Sequence, residues 1–206
     1  MDDIRTTSIG QFLAELGSDA PAPGGGSVAA LSGAMGASLV SMLCSLTIGR
    51  SKYSKYDQFA REVLAKSQAL TEKLLDCLKD DMTAYNAVIS ALRLPKASDE
   101  QKAARSRALQ EAYKTATSAP ENTINNCLEV MRLARSLVGK SNPTAACDLA
   151  AAGLEAHAGI FIAMDSIRAN LSVIKDTEYV AHVKAWADNA EHEADTLLRE
   201  IQEGVK

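Results

Sequence analysis

Asp81 is a carboxylate on a helical face that is otherwise apolar. Residues recur along this face in steps of three and four, as they do on the buried side of an amphipathic helix. A carboxylate there costs several kcal/mol unless it is paired, hydrogen-bonded or protonated. Either a bond to a backbone or hydroxyl group or a role toward a ligand must therefore justify Asp81, whereas Asp80 points about 100° away and is expected in solvent. The face consists of Leu70, Leu74, Leu78, Asp81, Tyr85, Val88 and Leu92.

A proline-glycine turn, Pro21 to Gly26, offers binding chemistry. Ser27 follows it and is predicted to be the N-cap of a helix. Free backbone N–H groups and the positive end of that helix would face the three glycines, where an anion or a planar ring can approach the backbone. A loop that leads into a buried helix explains the same residues equally well, because the glycines match neither a Walker loop nor a GxGxxG fingerprint.

Basic and aromatic residues appear together where the uncharged run from Val28 to Gly49 ends. They are Arg50, Lys52, Tyr53, Lys55 and Tyr56. A solvated basic helix end and a contact with an anionic ligand are both compatible with this cluster. Together with the glycine turn and Asp81, it predicts a helical protein with a polar cleft suited to an anionic small molecule.

Neither a metal site nor a nucleophile is indicated. The three histidines lack zinc-like spacing, and no arrangement typical of serine or cysteine hydrolases is found. The four cysteines are far apart, so we expect them to be reduced, buried thiols of a cytoplasmic protein. They are Cys44, Cys77, Cys127 and Cys147.

Length and charge limit the class of protein. With 206 residues, the chain is predicted to be a single domain, 1–206. A net charge of −4 and an aromatic content of 4% argue against binding nucleic acid. No signal peptide is expected at the N-terminus.

Cap and periodicity patterns predict an all-α fold, a single-domain bundle with long helices. A short helix should run from Ser8 to Gly17, a long one from about Ser54 to Leu94, and another from Ser98 to about Val138 with Pro120 inside it. Asn142 and Pro143 should start a helix that reaches about Ile174, and Asp176 should cap the last helix.

Two of the predicted helices are rich in small residues and should lie at the centre of the bundle. One covers Val28 to Leu46, and the other follows Pro143. The first is long enough to span a membrane, but its serines dilute its hydrophobicity, so a tightly packed core helix is the better interpretation. Two such helices need more packing surface than one small bundle offers, which favours a dimer.

The segment from Pro21 to Tyr53 resembles the folate-dependent family of formimidoyltetrahydrofolate cyclodeaminase and methenyltetrahydrofolate cyclohydrolase. That family is marked by a P-x-P-G-G-G-S turn, here Pro21 to Ser27, a small-residue helix, and a T-I-G-basic-x-K-Y exit, here Thr47 to Tyr53. The likeness extends over nearly the whole chain. It implies an all-α homodimer with a folate cleft at or near the subunit interface, and no cofactor beyond the tetrahydrofolate substrate.

The resemblance also implies roles for individual residues. Asp81, with Ala84 and Tyr85, matches D-x-x-A-F/Y and would be the proton-transfer carboxylate. The chain matches a G-N-x-x-x-x-x-D element of the family, except that Ser141 replaces the glycine. It also matches an R-x-N-L element, although Ser166, shortly before the asparagine of that element, stands where a further asparagine is common. The implied substrate-binding residues are Pro23, Gly24, Gly25, Gly26, Ser27, Arg50, Lys52, Tyr53, Tyr85, Ser141, Asn142, Asp148, Arg168 and Asn170, and with Lys55 the basic cluster would hold the glutamate tail.

Two activities fit the resemblance. A methenyltetrahydrofolate cyclohydrolase adds water to the carbon between N5 and N10, and a formimidoyltetrahydrofolate cyclodeaminase closes that ring and releases ammonia. The sequence contains no recognisable transferase domain, which favours the cyclohydrolase. A folate-binding helical protein without catalysis is the alternative of another class, although simple binding would not need the cost of Asp81.

Overall fold

The described residues, 4–206, form six α-helices and two short 3₁₀ helices in this computed structural model, and no strand occurs among them. This confirms the predicted all-α class. The 3₁₀ helices are Ser51–Tyr56 and Pro143–Ala145. The α-helices are α1 Ile9–Leu16, α2 Gly25–Thr47, α3 Asp57–Leu92, α4 Asp99–Leu137, α5 Ala146–Leu171 and α6 Thr177–Gly204.

Most of the predicted helix ends are confirmed by their hydrogen bonds. Ser8 and Ser98 each form a complete capping box with the glutamine three residues later. Asp176 accepts from the Tyr179 N–H at the start of α6. Gly139 has a φ of +68°, the left-handed conformation that glycine favours after a helix.

Four expectations were wrong in detail. The N-cap of α2 is Gly24 rather than Ser27, because α2 begins before Ser27 and the Ser27 hydroxyl donates to Asp81 instead of accepting from its own helix. Helix α5 ends at Leu171, short of Ile174. Cys147 is exposed near the first turn of α5, unlike the other three cysteines. The sequence predicts one apolar face on α1, formed by Ile9, Phe12, Leu13 and Leu16, but only Phe12 is buried, and Ile9 and Leu13 are exposed.

The small-residue helices α2 and α5 pack against each other at the centre, as predicted. A Cβ on Gly36 would lie 2.8 Å from the carbonyl oxygen of Ala152, and one on Gly159 would lie 2.7 Å from that of Ala29. Only glycine allows the two backbones to come this close. By length and composition α2 and the segment Pro143–Leu171 are also apolar enough to cross a membrane, but 61% of the most apolar window of α2 is buried inside the bundle.

Helices α3 and α5 both run past the point where α2 begins. Helix α3 is antiparallel to α2, since Ser67 contacts Ser41 near the middle of α2 while Asp81 contacts Ser27 at its start. Helix α3 has 36 residues and α2 has 23, so the last part of α3 continues beyond α2 and pairs with the first half of α4. The space that α2 leaves open is a cleft.

Candidate active site

A cleft of about 440 Å³ lies at the N-terminal end of α2, and we name it the Asp81 cleft. Its floor is the turn before α2 together with the first residues of that helix. Its walls are the end of α3, the middle of α4 and the end of α5. The lining residues that carry polar groups are Asp81, Tyr85, Tyr113, Ser166 and Asn170, with the backbone of Gly24, Gly25 and Gly26.

Asp81 is fixed against the first turn of α2. The Ser27 hydroxyl, which is fully buried, donates to Asp81 Oδ2 at 3.0 Å. A Cβ on Gly26 would collide with the Asp81 carboxylate, so glycine is required for this contact. The glycine turn and Asp81, the carboxylate on the apolar face of α3, therefore form one site.

Burial raises the pKa of Asp81 above its ordinary value. Hydrogen bonds from the side chain and backbone of Ser27 oppose this by stabilising the carboxylate, but the desolvation is the larger effect. Asp81 makes no ion pair with any residue from 4 to 206. Such a carboxyl group is suited to accept and return a proton, and to lie beside a cationic ligand.

The apolar face of α3 packs in the bundle before Asp81 and lines the cleft after it. Before it, Leu70, Leu74 and Leu78 are buried in the bundle, as predicted. After it, Tyr85 and Leu92 are 44% and 41% exposed, because α2 no longer covers this part of α3. These two residues line the cleft rather than a core.

Asn170 joins the end of α5 to the middle of α4. Its side-chain amide donates to the carbonyl oxygen of Ala116 at 3.0 Å. That carbonyl has no helical partner because residue 120, which would supply the N–H, is proline. Asn170 thus satisfies a backbone group that Pro120 leaves open, and it also lines the cleft.

Several predicted binding residues lie at the other end of the bundle. Lys52, Tyr53, Ser141 and Asn142 line a separate cleft of about 600 Å³ together with Lys55, and we name it the Lys52 cleft. Helix α2, about 35 Å long at 1.5 Å per residue, separates it from Asp81. Within one chain, Asp81 and this cluster are not brought together.

The residues at the Lys52 end that were predicted to bind substrate make hydrogen bonds within the protein. The Tyr53 hydroxyl donates to Asn142 Oδ1 at 3.2 Å, and the same oxygen accepts from the Thr144 N–H. The Ser141 hydroxyl donates to the carbonyl of Leu137 at 3.2 Å. Arg50 is exposed and lines neither cleft.

Pro23, Asp148 and Arg168 also lie outside both clefts. Pro23 is buried in the turn before α2. Asp148 accepts from the Cys147 thiol at 3.9 Å. Arg168 forms ion pairs with Asp165 and Glu191, at 3.0 and 2.7 Å, and so ties α5 to α6.

Tyr113 is the cleft residue that the sequence did not single out. It lies on the first half of α4, between the charged residues Glu111 and Lys114, and such alternating charges are typical of a solvated helix face. Only the pairing of α3 with α4 beyond the end of α2 places it opposite Tyr85 in the lining. The described part of the chain contains no group of three or more histidine, cysteine or acidic side chains that could hold a metal ion.

A helical bundle with a desolvated carboxyl group at the floor of a ligand-sized cleft defines a class of protein equipped for proton transfer. The family model for formiminotransferase-cyclodeaminase matches residues 8–189. The chain therefore belongs to the formiminotransferase-cyclodeaminase family.

Individual relatives are similar over most of the chain. Methenyltetrahydrofolate cyclohydrolase of Methylorubrum extorquens is 41% identical over 199 residues, which cover 97% of this chain and 96% of that protein. Formimidoyltransferase-cyclodeaminase of Sus scrofa is 32% identical over 90% of this chain, but this region is 34% of that longer protein. The crystal structure of formiminotetrahydrofolate cyclodeaminase from Thermotoga maritima has the same fold, with a TM-score of 0.89 over 98% of both chains at 22% identity.

Proposed function

We propose that this protein is a one-carbon folate enzyme, a methenyltetrahydrofolate cyclohydrolase, which converts 5,10-methenyltetrahydrofolate and water to 10-formyltetrahydrofolate. The observation that carries the proposal is the Asp81 carboxyl group, held by Ser27 at the floor of the cleft with no cationic side chain beside it among residues 4–206. The methenyl substrate is a cationic amidine, and it would supply the missing positive charge. The similarity to a cyclohydrolase over the whole chain supports the same activity.

In the proposed mechanism, Asp81 acts as a base and then as an acid. As water attacks the carbon between N5 and N10, the Asp81 carboxylate takes one of its protons and a neutral carbinolamine forms. Asp81 then gives that proton to N5, the bond from carbon to N5 breaks, and the hydroxyl proton leaves to solvent. One proton is released overall, and the formyl group remains on N10. Positioned acid–base catalysis of this kind contributes about 10²–10⁴ in rate.

The cyclodeaminase is the second candidate, since relatives named formimidoyltransferase-cyclodeaminase match the chain. In that reaction N10 attacks the formimidoyl carbon on N5, and the departing nitrogen must be protonated before ammonia leaves. The same carboxyl group would deliver this proton. The geometry of the Asp81 cleft serves both reactions, so the test must compare substrates.

A spectrophotometric assay with purified protein distinguishes the candidates. Each substrate, methenyl- or formimidoyl-tetrahydrofolate, is offered in turn, and the methenyl absorbance is followed. We expect it to fall with the first substrate faster than in a protein-free control. A rise with the second substrate alone would favour the cyclodeaminase. Binding without turnover of either would leave a non-catalytic folate-binding protein.

We also propose a homodimer. Helix α2 has an exposed side without charged residues, which includes Met35 and Met42 at 44% and 37% exposure, and Leu154 on the neighbouring α5 is 47% exposed. Apolar residues grouped on one surface are typical of subunit interfaces. A second copy would cover this surface, and only a second subunit is able to bring Arg50, Lys52 or Lys55 near an Asp81 cleft.

The remaining proposals concern the setting of the reaction. We propose a cytoplasmic enzyme that binds neither nucleic acid nor membrane and uses no cofactor beyond tetrahydrofolate. Cys44, Cys77 and Cys127 are buried free thiols, as is typical of proteins in a reducing compartment. Neither step of the mechanism requires a metal or a redox group.

A further inference from the structure

A second cleft, of about 450 Å³, continues from the Asp81 cleft along α3, and we name it the Lys96 cleft. Leu92 and Tyr113 line both clefts, so the two share a wall. Apolar side chains of Leu92, Leu109 and Val173 form part of its surface. A long ligand with its reacting end at Asp81 would pass these residues when it extends toward solvent.

The Lys96 cleft is lined by cations and by no carboxylate. Its charged lining residues are Lys96, Lys102, Arg105 and Lys175. Lys102 is paired with Asp99 at 2.8 Å, whereas Lys96 and Lys175 make no ion pair within the described residues. Lys96 and Lys175 therefore offer positive charges that are open to a ligand, in a protein whose net charge is −4.

Hydrogen bonds hold the walls of this cleft in place. Arg105 donates to the carbonyl oxygen of Leu92 from two nitrogens, at 3.2 and 3.0 Å, and so ties the start of α4 to the end of α3. Gln110 donates to the carbonyl oxygen of Val173 at 2.9 Å and accepts from the Lys175 N–H at 2.7 Å. These bonds fix the segment that carries Lys175 against α4, so the cationic side chains extend from a fixed framework.

We propose that the Lys96 cleft binds the glutamate tail of the folate, with Lys96 and Lys175 as the contacts to its carboxylates. This inference rests on the proposed function. Leu92, on the shared wall, lies about 16 Å beyond Asp81 along α3, at 1.5 Å per residue. The reacting carbon lies between the pteridine and the p-aminobenzoyl group, so only the p-aminobenzoyl group and the glutamates span this distance. The first glutamate therefore approaches the cations, and the further γ-linked glutamates of a longer tail reach them. The Lys52 cleft lies in the opposite direction along α2.

The test compares methenyltetrahydrofolate bearing one glutamate with the form bearing five. In the unmodified enzyme we expect the longer tail to lower KM, and added salt to reduce this advantage because exposed charges are screened. In a Lys96→Ala/Lys175→Ala variant we expect KM for the long substrate to rise about tenfold while kcat stays the same, since each exposed ion pair contributes only severalfold. Lys66→Ala/Lys73→Ala, which removes two exposed lysines of α3 outside both clefts, is the matched control.

Three results would overturn the proposal. The first is an unmodified enzyme that gains nothing from added glutamates, and the second is a Lys96→Ala/Lys175→Ala variant that keeps the gain. The third is a loss of the gain in Lys52→Ala instead, which would assign the tail to the Lys52 cleft. If no turnover occurs, the proposed function fails, and calorimetry with the same two folates still decides whether Lys96 and Lys175 bind the tail.

Discussion

At the scale of single residues, the site depends on a contact between side chains far apart in the sequence. Ser27 was expected to cap its own helix, and instead its hydroxyl donates to Asp81. The carboxylate in turn occupies the place that a side chain at residue 26 would need. A carboxyl group fixed in this way keeps one orientation toward the cleft, which is what repeated proton transfer requires.

Replacing Asp81 by Asn should abolish most of the activity and preserve the fold. The amide keeps the shape of the carboxyl group but does not exchange a proton, so we expect kcat to fall at least about a hundredfold, or about 2.7 kcal/mol on the barrier. Asp80→Asn is the matched control, because Asp80 is exposed and the substitution is the same. If the Asp81→Asn variant kept a near-normal kcat, Asp81 would have a structural role only.

The same variant should have a pH-dependent effect on stability. Because the pKa of Asp81 is raised in the folded protein, its ionised form lowers the free energy of unfolding above that pKa, and protonation removes this cost as the pH falls through it. Asp81→Asn should therefore be at least as stable as the parent at neutral pH, and any advantage should disappear on acidification. Thermal melts of the variant and the parent from neutral to acidic pH would measure this difference in stability. An advantage that grows on acidification would contradict the assigned direction of the pKa shift.

At the scale of helices, local chemistry made most of the architecture predictable. The helix starts at Ser8 and Ser98 and the helix end near Val138 depend on short-range features, and the structure confirms them. The starting point of α2 was misjudged because the partner that decides the role of Ser27 comes from α3. Likewise, periodicity marked Tyr85 and Leu92 as apolar but did not indicate that α2 stops before it covers them.

The close packing of α2 and α5 should make Gly36 sensitive to a single added methyl group. In Gly36→Ala the Cβ would lie 2.8 Å from the Ala152 carbonyl oxygen, so one backbone must move. We expect a loss of about 1–3 kcal/mol in the free energy of unfolding, measured by denaturant titration. Gly10→Ala in α1, with nothing within 4 Å of the new Cβ, is the control and should stabilise by roughly 0.5–1 kcal/mol. Equal effects of the two substitutions would argue against the close approach.

At the scale of the whole molecule, the two predicted groups of binding residues occupy opposite ends of one bundle. The family resemblance placed Asp81 and Lys52 in one site, and no property of a single sequence gives the distance between two clefts. Asn170 and Tyr85 do line the Asp81 cleft, whereas Arg168 fixes α5 to α6. The residues near Asp81 were predictable because three consecutive glycines before a helix and a carboxylate on an apolar helical face are each unusual in a sequence.

The proposed dimer should depend on the exposed side of α2. A charge at Met35 or Met42 would be buried without a partner when two subunits meet, so Met35→Glu/Met42→Glu should be monomeric in light scattering at micromolar concentration. Ala181→Glu, at an exposed position of α6, should leave the dimer intact. A parent protein that is monomeric under these conditions would contradict the proposal.

The Asp81 cleft exists because α2 is shorter than the helices around it, and this has a consequence for how new specificities arise. Each additional turn at the start of α2 would raise the floor by about 5.4 Å, and each turn removed would deepen it. The number of residues between Pro21 and Ser27 therefore sets the depth of the cleft, and with it the size of the molecule that fits, as much as the identities of these residues do. We therefore expect insertions and deletions in this turn to change the size of the substrate that the cleft accepts.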